Sequence, residues 1–140
     1  GVDEQVARPL GLRRGDRDIQ QRSDIISLHL PLTAETKHLA DDAFISRCKP
    51  GFVLINTARG ACIRTTDVVA ALEDGRIGGA CLDVYENEKP ATFTEAEKRL
   101  YDRLHLLENG VLTPHIAGWT QESKRLLAEI LFQKIAHALS

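Results

Sequence analysis

The sequence predicts an α/β fold: a doubly wound parallel sheet with flanking helices. Three observations predict it. Short aliphatic runs recur along the chain, each bounded by Gly, Pro or polar residues. Helix-compatible stretches separate the runs. The runs themselves do not alternate apolar with polar residues, so each strand expects cover on both faces, the mark of a parallel sheet with crossover helices.

The elements follow in order. Residues 1–22, GVDEQVARPLGLRRGDRDIQQR, are charged and broken by Pro9, Gly11 and Gly15. They predict a short helix over Asp3–Arg8 at most, then irregular chain. Asp24–Leu30, DIISLHL, reads as a buried strand stopped by Pro31. Thr33–Ala40 reads as a turn of helix, and Asp41–Cys48 as a short helix with Ala43, Phe44 and Cys48 inward. Lys49-Pro50-Gly51 is a turn. Phe52–Asn56, FVLIN, is the second strand. Thr65 or Thr66 can cap a helix running to Asp74, and Gly75 suits the left-handed residue after it. Gly79–Asp83 is the third strand. Thr94–Leu106 is a helix with Ala96, Leu100 and Leu104 on one stripe. Gly110–Thr113 is the fourth strand, stopped by Pro114. Thr120 can cap a long helix to Leu139, with Leu127, Ile130, Leu131, Ile135 and Ala138 along one face.

Bulk properties narrow the function classes. A chain of 140 residues suits one domain. Its net charge of −2 provides no basic field for nucleic acid and no polybasic membrane patch. The apolar runs fall far short of the roughly 18 residues that span a bilayer. Cys48, Cys62 and Cys81 are odd in number and include no CxxC pair, which argues against a disulfide framework and a zinc site. They read as reduced structural residues, and a reducing cytoplasmic compartment is expected. His29 falls within a buried strand pattern and reads as core. His38, His105 and His137 are scattered without metal-ligand spacing. Gly75, Gly78 and Gly79 precede a strand and read as turn and close-packing glycines, not as a phosphate loop. Trp119 reads as a packing anchor, with a place in a substrate pocket as the alternative.

Parallel strands bring their C-terminal ends to one edge, where open α/β sheets bind ligands. That edge collects Leu30-Pro31 after the first strand, Thr57-Ala58-Arg59-Gly60 after the second, Asp83 to Glu88 after the third, and His115 to Gly118 after the fourth. A guanidinium offers a planar fork for a carboxylate or a keto acid. An imidazole passes a proton near neutral pH, and a carboxylate beside it fixes its tautomer. Such a set can bind and protonate a carbonyl compound, but the hydride for its reduction must come from a cofactor.

The stretches LINTARGACI, VVAALEDGRIGGACLDVYENE and VLTPHIAGWT resemble the C-terminal signatures of the D-isomer-specific 2-hydroxyacid dehydrogenases. The resemblance runs from about Ser23 to about Lys134. It implies a partial Rossmann-like sheet, NAD as cofactor and a small 2-keto or 2-hydroxy acid as substrate. It also implies roles by position. Arg59 falls on the family's substrate-binding arginine, Glu88 on the glutamate that pairs with the catalytic histidine, and His115 on that histidine. Asp83 matches a residue near the nicotinamide carboxamide; Leu30, Thr57, Ala58 and Gly118 match positions lining the cofactor. Lys89 separates Glu88 from Pro90, and Arg64 stands where the family often has an acidic or amide residue.

The sequence holds no G-x-G-x-x-G loop, and Leu12–Asp18 makes a poor strand for gripping an adenosine ribose. The expectation is therefore that residues 23–140 form the C-terminal part of an NAD-binding domain, and that 1–22 are poorly structured or a remnant of its first helix. Half of a parent sheet would expose an apolar face and leave the last helix without a partner. The rival to the enzyme reading is accordingly a non-catalytic fragment or self-association module, with a homodimer expected. A different doubly wound enzyme, such as a methyltransferase, fits the Arg–Glu–His set poorly.

Overall fold

Four parallel strands, β1 (Ile25–Leu28), β2 (Phe52–Asn56), β3 (Ile77–Leu82) and β4 (Gly110–Leu112), pair in the sequential order β1-β2-β3-β4. The structure is a computed structural model and describes residues 17–139. The helix expected over Asp3–Arg8, with Pro9, Gly11 and Gly15, lies outside the described residues. Among the described residues five α-helices accompany the sheet: α1 (Arg17–Arg22), α2 (Asp42–Ile45), α3 (Thr65–Glu73), α4 (Glu95–Leu106) and α5 (Gln121–Ala138). This is the Rossmann-like arrangement that the sequence predicts, with strand positions matching within two residues.

Sequential order has a consequence for the layers. Every crossover steps the same way across the sheet, and right-handed crossovers then place the connecting helices on one face. Ile26, Leu28, Phe52, Leu54, Ile77, Ala80 and Leu82 point to that face. They join Phe44 of α2, Val68, Val69 and Leu72 of α3, and Tyr101 and Leu104 of α4 in one core. The opposite face, with Ile25 60% and Val111 61% exposed, has no such cover among the described residues. Cover on both faces, expected from the unbroken apolar runs, is thus corrected. His29 follows Ile25 and Ser27 in strand parity and is exposed, its Nε2 within 2.8 Å of the Ser27 hydroxyl, so it is not a core residue.

Local chemistry explains the element ends. Asp41 caps α2 by accepting from the Phe44 amide. Thr94 opens α4 with a full capping box to Glu97. Thr120 caps α5 through the Ser123 amide. Gly75 takes φ +80° after α3 and Gly51 φ +78° in the turn before β2, conformations that suit glycine. Gly78 sits at a bulge between β2 and β3, where a Cβ would lie 2.5 Å from the Gly51 carbonyl oxygen. Burial pushes the Cys48 thiol up to about 11, as befits an unreactive packed residue.

Other expectations change. Neither Thr65 nor Thr66 caps α3; Arg64 occupies the cap without a side-chain bond, and the Thr65 amide is taken by Glu86 from the β3 loop. Thr33–Ala40 holds the single turn of helix expected, the Lys37 amide donating to the Thr33 carbonyl at 3.0 Å, and the Thr33 and Thr36 hydroxyls pin it. Residues 17–22, expected to be irregular, form α1, which buries Gln20; its carbonyl accepts from Lys49 and its side chain from Arg47. Ala43 and Ala96 face solvent, and Tyr101 joins Leu104 on the inward stripe of α4. Trp119 is exposed, with the Lys124 ammonium 5.4 Å from its ring centre, so it anchors no core.

The α5 helix buries no residue. Its apolar side chains, Phe132 at 74% among them, stand open.

Core truncation should separate the two faces. Leu54→Ala, from a fully buried position, should cost about 2–5 kcal/mol. Ile25→Ala should cost within about 0.5 kcal/mol. Urea unfolding measures both, and an Ile25→Ala loss as large as that of Leu54→Ala would show that the open face is covered in solution.

Candidate active site

The β2 end builds a turn around a buried amide. Asn56 is fully buried, donates from Nδ2 to the Arg59 carbonyl at 3.0 Å and accepts the Ala58 amide at 3.1 Å. This side-chain turn holds Thr57-Ala58-Arg59 at the sheet edge with Arg59 exposed. Gly60 follows, and any Cβ there would collide with the Tyr85 carbonyl, so the Arg59 loop lies directly on the β3 loop. The Arg59 guanidinium bonds back to the Ala58 carbonyl at 2.6 Å. It contacts neither Glu88 nor His115 among the described residues.

The β3 end supplies a brace. Asp83 is 3% exposed. One carboxylate oxygen accepts from the Thr113 hydroxyl at 2.6 Å and the Ile116 amide at 2.8 Å, the other from the Ala117 amide at 3.0 Å. Burial alone would raise this carboxyl. The bonds from Thr113, Ala117 and Ile116, with His115 nearby, outweigh burial and hold its pKa below the ordinary aspartate value. An ionised Asp83 therefore ties the end of β3 to both sides of His115.

His115 sits between those anchors at φ +57°. Left-handed backbone is uncommon for a residue other than glycine and persists where the surroundings over-determine it. Its Nδ1 lies 3.0 Å from Glu88 Oε2, and the other Glu88 oxygen accepts the Tyr85 amide. The hydrogen bond from His115, ahead of all else, holds the Glu88 carboxyl below its usual range. An ionised carboxylate only accepts, so Nδ1 carries the proton. Nε2 carries no bond among the described residues.

The sheet edge thus brings Glu88 and His115 into contact, braces the residues on both sides of His115 with Asp83, and sets the Arg59 loop beside the β3 loop. Leu30 is half-buried after β1, Thr57 is exposed, Ala58 half-buried, and Gly118 exposed with open space at its Cβ position. Behind the His115–Glu88 pair lies a cavity of about 400 Å³ whose walls include Tyr85, Phe93 and Tyr101. Phe93 stacks on Tyr101 at 4.7 Å, and the Tyr85 hydroxyl donates to the Thr113 carbonyl, fastening the Glu88 loop to the β4 end. Among the described residues no cluster of three or more His, Cys, Asp or Glu side chains is placed to hold a metal, and no helix is long and apolar enough to cross a membrane.

Sequence reasoning passed over Asn56 and Glu86. A polar residue ending the apolar run FVLIN was the available signal for Asn56. Glu86 meets His38 across 48 positions of sequence, so no local pattern announces it.

The Asp83 brace makes a pH prediction. A carboxyl depressed in the fold stabilises it above its unfolded pKa, and that contribution is lost as pH falls through the folded value. The Ile116 and Ala117 amide resonances should therefore titrate together with a midpoint below 3.8, the unperturbed aspartate value. A midpoint at or above that value would show that the brace is absent in solution.

Comparison with known proteins bears on the family and the fold. The sequence profile of the D-isomer specific 2-hydroxyacid dehydrogenase, NAD binding domain, matches residues 7–117. A D-lactate dehydrogenase of Staphylococcus aureus is 44% identical over 113 residues, which cover 76% of this chain and 34% of that protein. A 2-hydroxyacid dehydrogenase homolog of Zymomonas mobilis subsp. mobilis is 37% identical over 142 residues, covering 97% of this chain and 43% of the relative. Among solved structures, the NAD-complexed D-isomer specific 2-hydroxyacid dehydrogenase of Lactobacillus delbrueckii ssp. bulgaricus aligns with a TM-score of 0.74 at 32% identity, covering 88% of this chain and 39% of that one. The chain thus spans 34–43% of the length of these proteins. With motifs, strand order and profile in agreement, the chain belongs to the D-isomer specific 2-hydroxyacid dehydrogenase, NAD-binding domain family.

Proposed function

We propose that this chain supplies the nicotinamide-side wall and the acid–base pair of an NAD-dependent dehydrogenase that interconverts a 2-hydroxy acid and a 2-keto acid. The observation that carries the proposal is the His115 Nδ1–Glu88 contact of 3.0 Å at the ends of neighbouring strands. Arg59 is the carboxylate-binding group. Its fork suits a planar carboxylate, and its present bond to a backbone carbonyl is one that a charged substrate would outcompete.

The residues present fit a nicotinamide ring. Leu30 and Ala58 offer apolar surface, Thr57 an exposed hydroxyl, and Gly118 bare backbone. Asp83 holds the segment that carries Gly118, which fixes that wall. Bound NADH would supply the hydride to the keto carbon. In reduction His115 Nε2 would give its proton to the keto oxygen. The imidazole returns to neutral with its Nδ1 proton still directed at Glu88. Oxidation reverses each transfer, with His115 Nε2 accepting the hydroxyl proton. Glu88 orients the ring through its bond to Nδ1; it need not itself take up the proton.

A second reading has its own observation. Ile25 and Val111 on the open sheet face, and the apolar side chains of α5, are exposed. A self-associating module, as a homodimer, would cover them. Light scattering tests this, and a stable monomer at high concentration would defeat it.

The enzyme reading is tested by NADH binding and oxidation with glyoxylate, pyruvate, hydroxypyruvate and 3-phosphohydroxypyruvate. Saturable turnover is expected, with His115→Ala lowering kcat about 10²–10⁴-fold. Arg59→Lys should act mainly on KM, because it keeps charge and loses the fork. A folded chain that fails to bind NADH at millimolar concentration, or turnover indifferent to His115→Ala, would overturn it.

A further inference from the structure

We infer that Glu86 is a positioning residue, its carboxylate bridging His38 and the first amide of α3 so that the Arg59 loop and the Glu88 loop keep one fixed relation. The inference rests on the roles proposed above for Arg59, Glu88 and His115.

The bridge joins three strand-end loops. Glu86 Oε1 lies 2.7 Å from His38 Nε2, on the loop after β1. Glu86 Oε2 accepts the Thr65 amide at 2.6 Å, where the Arg59 loop turns into α3. Glu86 itself stands in the β3 loop, two positions from Glu88. An ionised carboxylate only accepts, so the His38 Nε2 is the donor. The pair is about a quarter exposed, with 27% of each side chain accessible, which makes it drier than the Glu88–His115 pair at 41% and 50%. Charge-assisted bonds in such surroundings are the stronger kind.

Backbone contacts make the bridge rigid. The His38 amide donates to the Ala61 carbonyl at 2.7 Å, the Ala40 amide to Cys62 and the Arg64 amide to Ala40. The 38–40 and 61–64 segments therefore move as one piece. Gly60 presses on the Tyr85 carbonyl and the Glu86 amide without room for a Cβ. His38 adopts φ +52°, and His115 is the one other described non-glycine residue with positive φ. Both are imidazoles facing a glutamate from the same loop. A left-handed histidine is held there at a conformational cost, and the Glu86 contact is what the held geometry secures.

Helix capping alone predicts less. A cap needs one oxygen on the Thr65 amide and gives no reason for His38 to be held against the other. Positioning predicts that loss of Glu86 is felt at His115, to which Glu86 makes no direct bond among the described residues.

The test reads the His115 ring by long-range ¹H–¹⁵N spectra of the labelled full chain near neutral pH, without cofactor. The wild type should show a single tautomer protonated at Nδ1. Glu86→Ala should erase that bias and draw the two ring-nitrogen shifts together. Glu86→Gln, which still accepts from Thr65 and can donate to a His38 that switches tautomer, should largely restore the wild-type spectrum. A folded Glu86→Ala chain with a lower Tm but unchanged His115 shifts would overturn the inference and leave Glu86 as a cap. Should Glu86→Ala fail to fold, His38→Ala carries the same test with the Thr65 bond intact, and His38→Gln the same rescue. A wild-type spectrum without the Nδ1 signature defeats the Glu88–His115 pairing itself, and with it this inference. Absent NADH turnover with the signature present defeats the functional reading alone.

Discussion

Parallel pairing in sequential order is the constraint from which the rest follows. Each residue step in β2 is registered against β1 on one side and β3 on the other, and β3 carries β4 in turn. Once the strands run the same way, every connection must recross the sheet, and the crossovers all fall on one face. That face becomes the core. The same constraint delivers four loops to one edge. The sheet thus does for the site what no loop can do alone: it fixes where Asn56, Asp83 and Thr113 stand before any side-chain bond forms.

Those strand-end polar residues then convert sheet geometry into loop geometry. Asn56 and Asp83 are buried, and each spends its side-chain polar atoms on the backbone of a strand-end loop: Asn56 donates to the Arg59 carbonyl and accepts the Ala58 amide, and Asp83 accepts the Ile116 and Ala117 amides. Unpaired, either would be costly inside the fold, whereas fully bonded they specify one arrangement. The order of control runs outward from there. A buried amide sets the Arg59 turn, a buried carboxylate sets the His115 turn, and Glu88 meets His115 only because both turns are set.

Legibility in the sequence followed the range of the interaction. Strands, the α5 cap and the Gly75 turn were readable because propensity, capping and left-handed glycine act within a few residues. The candidate chemistry of Arg59, Glu88 and His115 was readable from motif order, and the structure places the last two in contact. What failed depended on tertiary facts. Unbroken apolar runs in β1 and β2 signalled cover on both faces, yet strand order decides which face the crossovers occupy. The α3 cap was sought in Thr65 or Thr66 and came from Glu86, 21 residues on. His29 and Trp119 are apolar enough to suggest packing, but strand parity and the absence of an opposing layer leave both in the open.

Magnitudes decide how the Glu88–His115 pair is held. Glu88 and His115 are each close to half exposed, and exposed ion pairs contribute only about 0–1 kcal/mol. Their mutual attraction therefore cannot be what keeps His115 at φ +57° against its conformational preference. The holding force comes from Asp83, buried and ionised, with three hydrogen bonds to the flanking segment. Glu88 bonds the Tyr85 amide with one oxygen and His115 Nδ1 with the other without anchoring the left-handed turn, and under the proposed function it selects the tautomer of the ring. Holding the turn and, under the proposed function, orienting the imidazole thus fall to different carboxylates of the same loop. The buried one makes the geometry that sets the exposed one against His115.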